Sequence, residues 1–165
     1  MKSKLFCLDP GHGGMVNGRY ITAPDKMWRF PSGVVIYEGV VNRKIVKYIE
    51  EFAHQEDIQT FDVTGGSDYD ISIKTRTNLA NSLNEVYDTI YCSIHCNAGK
   101  GRGTEIFTSP GQTRSDKHAP VVMDCLKDTL PSFTVRADYS DGDIDKEAKF
   151  AVLLWTHGVS WLLGS

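Results

Sequence analysis

Two histidines and one glutamate have the residue types of a metal-binding site. His12 lies in the glycine-rich stretch LDPGHGG (Leu8–Gly14), which follows a short apolar run. His95 ends a second apolar run, YCSIH, and Glu38 lies between the two histidines in the chain. Two imidazoles and one carboxylate with an open fourth position are the protein ligands of hydrolytic zinc sites. Zinc in such a site activates water and polarises a carbonyl group.

The elements that must position these residues alternate between strands and helices. Apolar runs predict strands at Lys4–Leu8, Gln59–Thr64, Val86–His95, Gly103–Thr108, Phe150–Trp155 and Val159–Leu163. Helical spacing predicts three helices with the apolar faces Val41/Ile45/Tyr48/Ile49/Phe52, Ile73/Ala80/Leu83 and Val121/Val122/Cys125/Leu126. The order predicts an α/β fold: a single domain with a twisted, mainly parallel sheet and helices on both faces.

This fold class predicts where the three residues meet. Functional side chains of open α/β sheets collect at the carboxyl ends of the strands. His12 and His95 both follow predicted strands, and Glu38 lies at a junction between a loop and a helix. Two simpler interpretations stay open on spacing alone. His12 is then a turn histidine, and His95 is a strand-end histidine that binds a backbone carbonyl.

Composition limits the class of protein. A chain of 165 residues with 41% hydrophobic and 24% charged residues is typical of one globular domain. A net charge of −3 does not favour nucleic acid as a partner, and no apolar run is long enough for a membrane span. We interpret Cys92 and Cys96 as small buried hydrophobes rather than half of a second zinc site. The acidic stretch 134–147 predicts a solvated surface loop.

Five stretches resemble one family, the zinc-dependent N-acetylmuramoyl-L-alanine amidases of phage endolysins and bacterial wall-remodelling enzymes. They are LDPGHGG, Glu38 with the following VVNRKIVKYI, KTRTNLANS, SIHCNA and GTEIF. The resemblance implies that His12, Glu38 and His95 bind Zn²⁺, and that the glycines beside His12 leave room for a bulky substrate. It implies hydrolysis of the amide between N-acetylmuramic acid and L-alanine of peptidoglycan. Asp9 is interpreted either as a residue that orients a ligand or as a turn residue.

The sequence departs from the family at the residue expected to transfer protons. The family carries a catalytic glutamate at the end of its last strand, and Gly164 occupies that position here. Glu105, in GTEIF, is the substitute carboxylate that the motifs offer as a catalytic residue. The resemblance also implies that residues 1–165 are a catalytic domain truncated at its C-terminus. Truncation would expose apolar surface, with Trp155, Trp161 and Leu163 as its expected residues.

Three function classes follow from these observations. The first is a zinc amidase that degrades the cell wall. The second is a zinc peptidase that cuts the stem peptide, and the third is an inactive zinc-containing module that binds peptidoglycan. The expected partner is peptidoglycan, with no nucleic acid or membrane, and the expected state is a monomer unless truncation exposes apolar surface. Since no signal peptide is visible, we expect a cytoplasmic protein that is released to the wall, as phage endolysins are, or an excised domain of a larger protein.

Overall fold

The computed structural model describes residues 2–22, 26–96, 102–132 and 134–165, so Asn97 and Ala98 of SIHCNA lie outside it. The strands are β1 (Lys4–Pro10), β2 (Met15–Val16), β3 (Arg19–Tyr20), β4 (Met27–Arg29), β5 (Val35–Tyr37), β6 (Thr60–Asp62), β7 (Asp88–His95), β8 (Glu105–Thr108), β9 (Lys146–Glu147) and β10 (Val159–Gly164). The helices are α1 (Glu38–Gln55), α2 (Ile73–Asn84), α3 (Ala119–Thr129) and α4 (Ala151–Leu154), with a 3-10 turn at Ser115–Lys117.

Six of the strands form one sheet in the order β6-β1-β7-β10-β8-β9. All neighbouring pairs are parallel except β8 and β10, which are antiparallel. The central strands β1 and β7 are buried on both faces, which explains their nearly continuous apolar sequences. The predicted α/β class with a mainly parallel sheet is confirmed.

Two hydrophobic clusters lie on opposite sides of this sheet. One cluster contains Val46 of α1 and Met123 of α3. The other contains Ala80 of α2 and Leu153 of α4. The prediction of helices on both faces is therefore confirmed.

The predicted apolar face of α1 was wrong at Ile45, Tyr48 and Phe52, which are exposed, whereas Ile49 packs against the first cluster as expected. The helix buries Gly39, Asn42, Val46 and Ala53, whereas Tyr48 and Phe52 are 57% and 62% exposed. The pattern of apolar residues did not predict this buried face because the face includes a polar side chain, that of Asn42. The Asn42 amide is fully buried and donates a hydrogen bond to Gly11 O at 3.0 Å.

The C-terminal region differs from the prediction in three places. The expected strand Phe150–Trp155 is the short helix α4, a common ambiguity for short apolar runs. Trp161 is buried in the cluster beneath α1 and α3, so its predicted exposure was wrong, while Trp155 is 49% exposed. The acidic stretch 134–147 is not a solvated loop throughout, because Asp145 is buried and β9 pairs with β8. No helix in the described residues is long and apolar enough to cross a bilayer.

Candidate metal centre

The structure brings His12, Glu38 and His95 together at the carboxyl end of the sheet. His12 Nε2 lies 3.3 Å from Glu38 Oε1, and His95 Nδ1 lies 3.1 Å from the same oxygen. The two imidazole rings are nearly perpendicular, with centroids 4.9 Å apart. Within the described part of the chain, this is the one group of three metal-binding side chains whose ligand atoms all lie within 4.8 Å of one another.

Two of the three separations between these ligand atoms are close to those of a tetrahedral zinc site. Zn–N and Zn–O distances of about 2.0–2.2 Å place tetrahedral ligand atoms roughly 3.3–3.6 Å apart. The separations of 3.1 and 3.3 Å from Glu38 Oε1 are close to that range. The three side chains are 11–20% exposed, so the cluster opens toward solvent on one side. An open side is what distinguishes a catalytic zinc site from a structural one.

Glu38 is held in its ionised form. Burial alone raises its pKa, but hydrogen bonds and charge from His12 and His95 outweigh that effect and lower the pKa to about 2. Glu38 Oε1 also accepts a hydrogen bond from the backbone N–H of Cys96 at 3.2 Å. The cluster therefore presents a fixed negative charge between two imidazoles.

Helix α1 positions the loop that carries His12. Arg43 Nη1 donates to His12 O at 2.5 Å, and Asn42 Nδ2 donates to Gly11 O. His12 itself has a left-handed backbone with φ of 66°, which a non-glycine residue adopts only when its surroundings hold it. Neither positioning residue was predicted from the sequence. Asn42 lies four residues after Glu38 on the same helix face, which was the available signal for it.

The glycines near His12 serve close packing rather than open space. A Cβ atom on Gly11 would lie 2.3 Å from His95 Cε1, so the imidazole packs directly on the Gly11 backbone. A Cβ atom on Gly39 would lie 1.8 Å from Gly13 O, so α1 touches the loop backbone. A Cβ atom on Gly13 would lie 3.0 Å from Ile21 Cδ1, so the expectation that these glycines leave room for a substrate gives the wrong reason at Gly11 and Gly13.

Glu105 lines the same pocket as the three ligands. The pocket has a volume of about 440 Å³ and also includes Lys26 on its wall. Glu105 is 4% exposed, and its Oε2 lies 2.6 Å from Lys146 Nζ and 3.1 Å from Arg136 Nη2. The pocket thus contains the ligand cluster on one side and an ion-paired carboxylate on another.

Gly164 lies between Glu105 and His95 in the sheet. It pairs with His95 across β7 and β10, and with Glu105 across β8 and β10. Residues that are laterally paired in a sheet direct their side chains to the same face. A side chain at position 164 would therefore be one strand nearer to the ligand cluster than Glu105 is.

Asp9 is part of a buried ion pair. Its Oδ1 lies 2.5 Å from Arg76 Nη1, and its Oδ2 accepts a hydrogen bond from Ser93 Oγ at 2.7 Å. Asp9 and Arg76 are 1% and 6% exposed. The pair joins α2 to the ends of β1 and β7, the two strands that carry the histidines.

Comparison with known proteins identifies the family. A sequence model described as N-acetylmuramoyl-L-alanine amidase matches residues 6–163. The chain belongs to the N-acetylmuramoyl-L-alanine amidase family. The resemblance carried by the five sequence motifs is thereby confirmed, and this amidase is an enzyme by family. Its family acts on peptidoglycan. Compared with curated proteins by sequence, the chain matches none.

Solved amidase structures share the fold of this amidase. An N-acetylmuramoyl-L-alanine amidase from Clostridium difficile 630 is 27% identical with a TM-score of 0.71, over 98% of this chain and 78% of that one. AmiC2 of Nostoc punctiforme is 24% identical with a TM-score of 0.70, over 96% and 77%. The catalytic domain of CwlV from Bacillus (Paenibacillus) polymyxa is 22% identical with a TM-score of 0.70, over 98% and 79%. The last two, at lower identity, support the fold alone.

Proposed function

We propose that this chain is a zinc-dependent amidase that hydrolyses the bond between N-acetylmuramic acid and L-alanine in peptidoglycan. His12, Glu38 and His95 hold the zinc ion. The observation that carries the proposal is the convergence of these ligand atoms within 4.8 Å, at the open end of a sheet, in a member of the amidase family. A zinc ion bound there supplies an activated water and a Lewis acid for the amide carbonyl.

The chain's own residues prepare the site for this ion. Glu38 contributes a carboxylate that is ionised at neutral pH, because its pKa is lowered to about 2. Arg43 and Asn42 fix the backbone beside His12, and Gly11 lets the His95 ring pack against that backbone. Groups that hold a ligand in place in this way support metal affinity as strongly as many ligands do.

Glu105 is the proposed proton acceptor of the reaction. It shares the pocket with the ligand cluster, and its Oε2 is paired with Lys146 and Arg136. It also lies one strand further from His95 than residue 164. A general base that is already ion-paired and is distant gives slow turnover.

A second candidate function is supported by Gly164. A domain that keeps the zinc ligands but has glycine where the family places its catalytic glutamate has the residues to bind peptidoglycan without cutting it. The position is buried within β10 and paired on both sides. Binding without hydrolysis is therefore the alternative that the first experiment must distinguish from amide hydrolysis.

The experiment is a mass-spectrometric digest of purified peptidoglycan by the zinc-loaded chain. We expect free stem peptides that begin with L-alanine, and one bound zinc per chain by elemental analysis. His12→Ala should abolish both results, whereas His157→Ala, which changes an exposed histidine, should leave them intact. Stem peptides shortened from within would identify a peptidase. Protein that binds the wall and its zinc but releases nothing would identify the binding module.

A further inference from the structure

The hairpin formed by β4 and β5 exposes a continuous apolar surface. Trp28 pairs with Ile36 across the hairpin, and Phe30 and Val34 continue the alternation because Phe30 N–H donates to Val34 O at 2.8 Å. These four side chains therefore lie on one face, which we call the hairpin face. They are 64%, 41%, 40% and 58% exposed in that order. Contiguous exposed apolar surface of this kind marks interaction sites.

The other face of the hairpin fixes its position. The Tyr37 ring packs on the Tyr20 ring with centroids 4.7 Å apart. The Tyr20 hydroxyl donates to Lys26 O at 3.1 Å and accepts from the N–H of Gly39 at 3.1 Å. Both ends of the hairpin are thereby tied to the first turn of α1. The hairpin face is held in a defined place relative to Glu38.

The hairpin is continuous with the rim of the catalytic pocket. Tyr37, its last strand residue, is followed directly by Glu38. Lys26, immediately before its first strand, lines the pocket together with His12 and His95. A polymer with one group in the pocket therefore leaves the pocket either along the base of this hairpin or in the opposite direction.

We propose that the hairpin face binds the glycan strand of peptidoglycan; this inference rests on the proposed function. The amide that the amidase cuts is attached to a sugar of that strand, so sugar rings lie at the pocket rim whenever the amide is inside. Pyranose rings present apolar C–H faces that stack on aromatic rings. Trp28 and Phe30 offer two rings side by side, with centroids 6.4 Å apart. The four side chains of the face carry no charge, which matches a neutral sugar better than an anionic partner.

The test measures binding to glycan strands from which stem peptides have been removed. These strands have no amide to cut, so the result does not depend on catalysis. We expect the Trp28→Ala/Phe30→Ala variant of the zinc-loaded chain to bind them about tenfold more weakly, as loss of aromatic contacts at an interface commonly costs. Tyr48→Ala/Phe52→Ala is the matched control, since these aromatics of α1 are similarly exposed. Trp28→Phe should restore part of the binding.

Kinetics give a second readout. On intact wall the hairpin variant should raise KM by about tenfold, whereas kcat on a soluble muramyl tripeptide should be unchanged. Equal binding by wild type and hairpin variant would overturn the inference, as would equal losses in the α1 control. Binding to neutral lipid vesicles in place of glycan would overturn it in favour of a membrane. A chain that binds glycan through the hairpin but cuts nothing would refute the proposed activity and leave this inference standing.

Discussion

The two sides of the pocket that contains His12 and Glu105 are built differently. On one side, His12, Glu38 and His95 converge from three separate elements, and Asn42 and Arg43 support them from behind. On the other side, the strand ends carry a glycine at 164 and a glutamate at 105 whose Oε2 pairs with two cations. In the function we propose, the first side holds the zinc ion and is called the ligand side. The second is called the proton-transfer side, and glycine occupies its position 164, where a catalytic glutamate is expected. On this proposal, metal binding and proton transfer are separable.

Restoring a carboxylate on the proton-transfer side should have the largest effect. Gly164→Glu places it beside His95, one strand nearer than Glu105. We expect the rate of amide hydrolysis to rise by about 10²–10⁴-fold, the usual contribution of a general acid or base. The release of stem peptides from purified wall measures it. Gly164→Gln is the control for size, and an equal rise in that variant would contradict a role in proton transfer.

Removing a hydrogen bond that holds the backbone of His12 should have the next largest effect. Arg43→Met removes the hydrogen bond to His12 O while keeping much of the side-chain volume. We expect zinc affinity to fall about 10–100-fold, as for other groups that position a metal ligand. Competition with a chromophoric chelator measures this affinity. Lys44→Met changes the exposed neighbour and should bind zinc as the wild type does; a similar loss there would indicate a general charge effect.

Removing the charge of Glu105 should lower the stability of the fold without changing zinc affinity. Glu105→Gln leaves Lys146 and Arg136 without their anionic partner at a buried position. We expect the free energy of unfolding to fall by about 1–3 kcal/mol, with zinc affinity unchanged. Urea denaturation measures the first and chelator competition the second. Glu51→Gln, in an exposed pair with Lys47, should cost less than about 1 kcal/mol. A large loss of zinc affinity in Glu105→Gln would refute the separation of the two sides.

The smallest expected effect is a pH dependence of stability that arises from the buried Asp145. Burial raises the pKa of Asp145; the hydrogen bond from Thr108 opposes this, Asp143 adds to it, and the pKa is about 6. An ordinary aspartate in the unfolded chain has a pKa of about 3.9, so the folded state binds this proton more tightly. Its contribution to stability is fully present below about pH 4 and is lost as pH rises through about 6.

Melting temperatures between pH 4 and pH 7 test this dependence. Asp145→Asn should flatten the decline of the melting temperature with rising pH, because the amide keeps a neutral group at this position. Asp141→Asn changes an exposed residue of the same stretch and should leave the decline unchanged. An identical slope in wild type and Asp145→Asn would contradict the assignment. Glu38, whose pKa is lowered to about 2, makes stability rise with pH below about pH 5, so only the difference between wild type and Asp145→Asn reports on Asp145.

The sequence predicted the groups that carry chemistry better than the groups that position them. His12 and His95 were singled out because they follow predicted strands, where parallel sheets collect functional residues, and Glu38 because it begins a helix in a stretch that resembles the family. Asn42 was missed because periodicity counts apolar residues, and this helix buries an amide to bind a loop carbonyl. The strand predicted at Phe150–Trp155 failed because a short apolar run fits a strand or a buried helical turn equally well.

The ligand cluster also has a consequence for folding. Its three residues come from the loop after β1, from α1 and from β7, so an ion bound to all of them ties together a stretch of chain that runs from residue 12 to residue 95. A link across so long a segment removes conformational freedom from the unfolded chain, and binding energy that exists only in the folded state adds to stability. A bound metal ion would then stabilise the folded sheet in addition to its proposed role in hydrolysis. Enzyme on the cell wall that loses its ion would lose rigidity together with its activity.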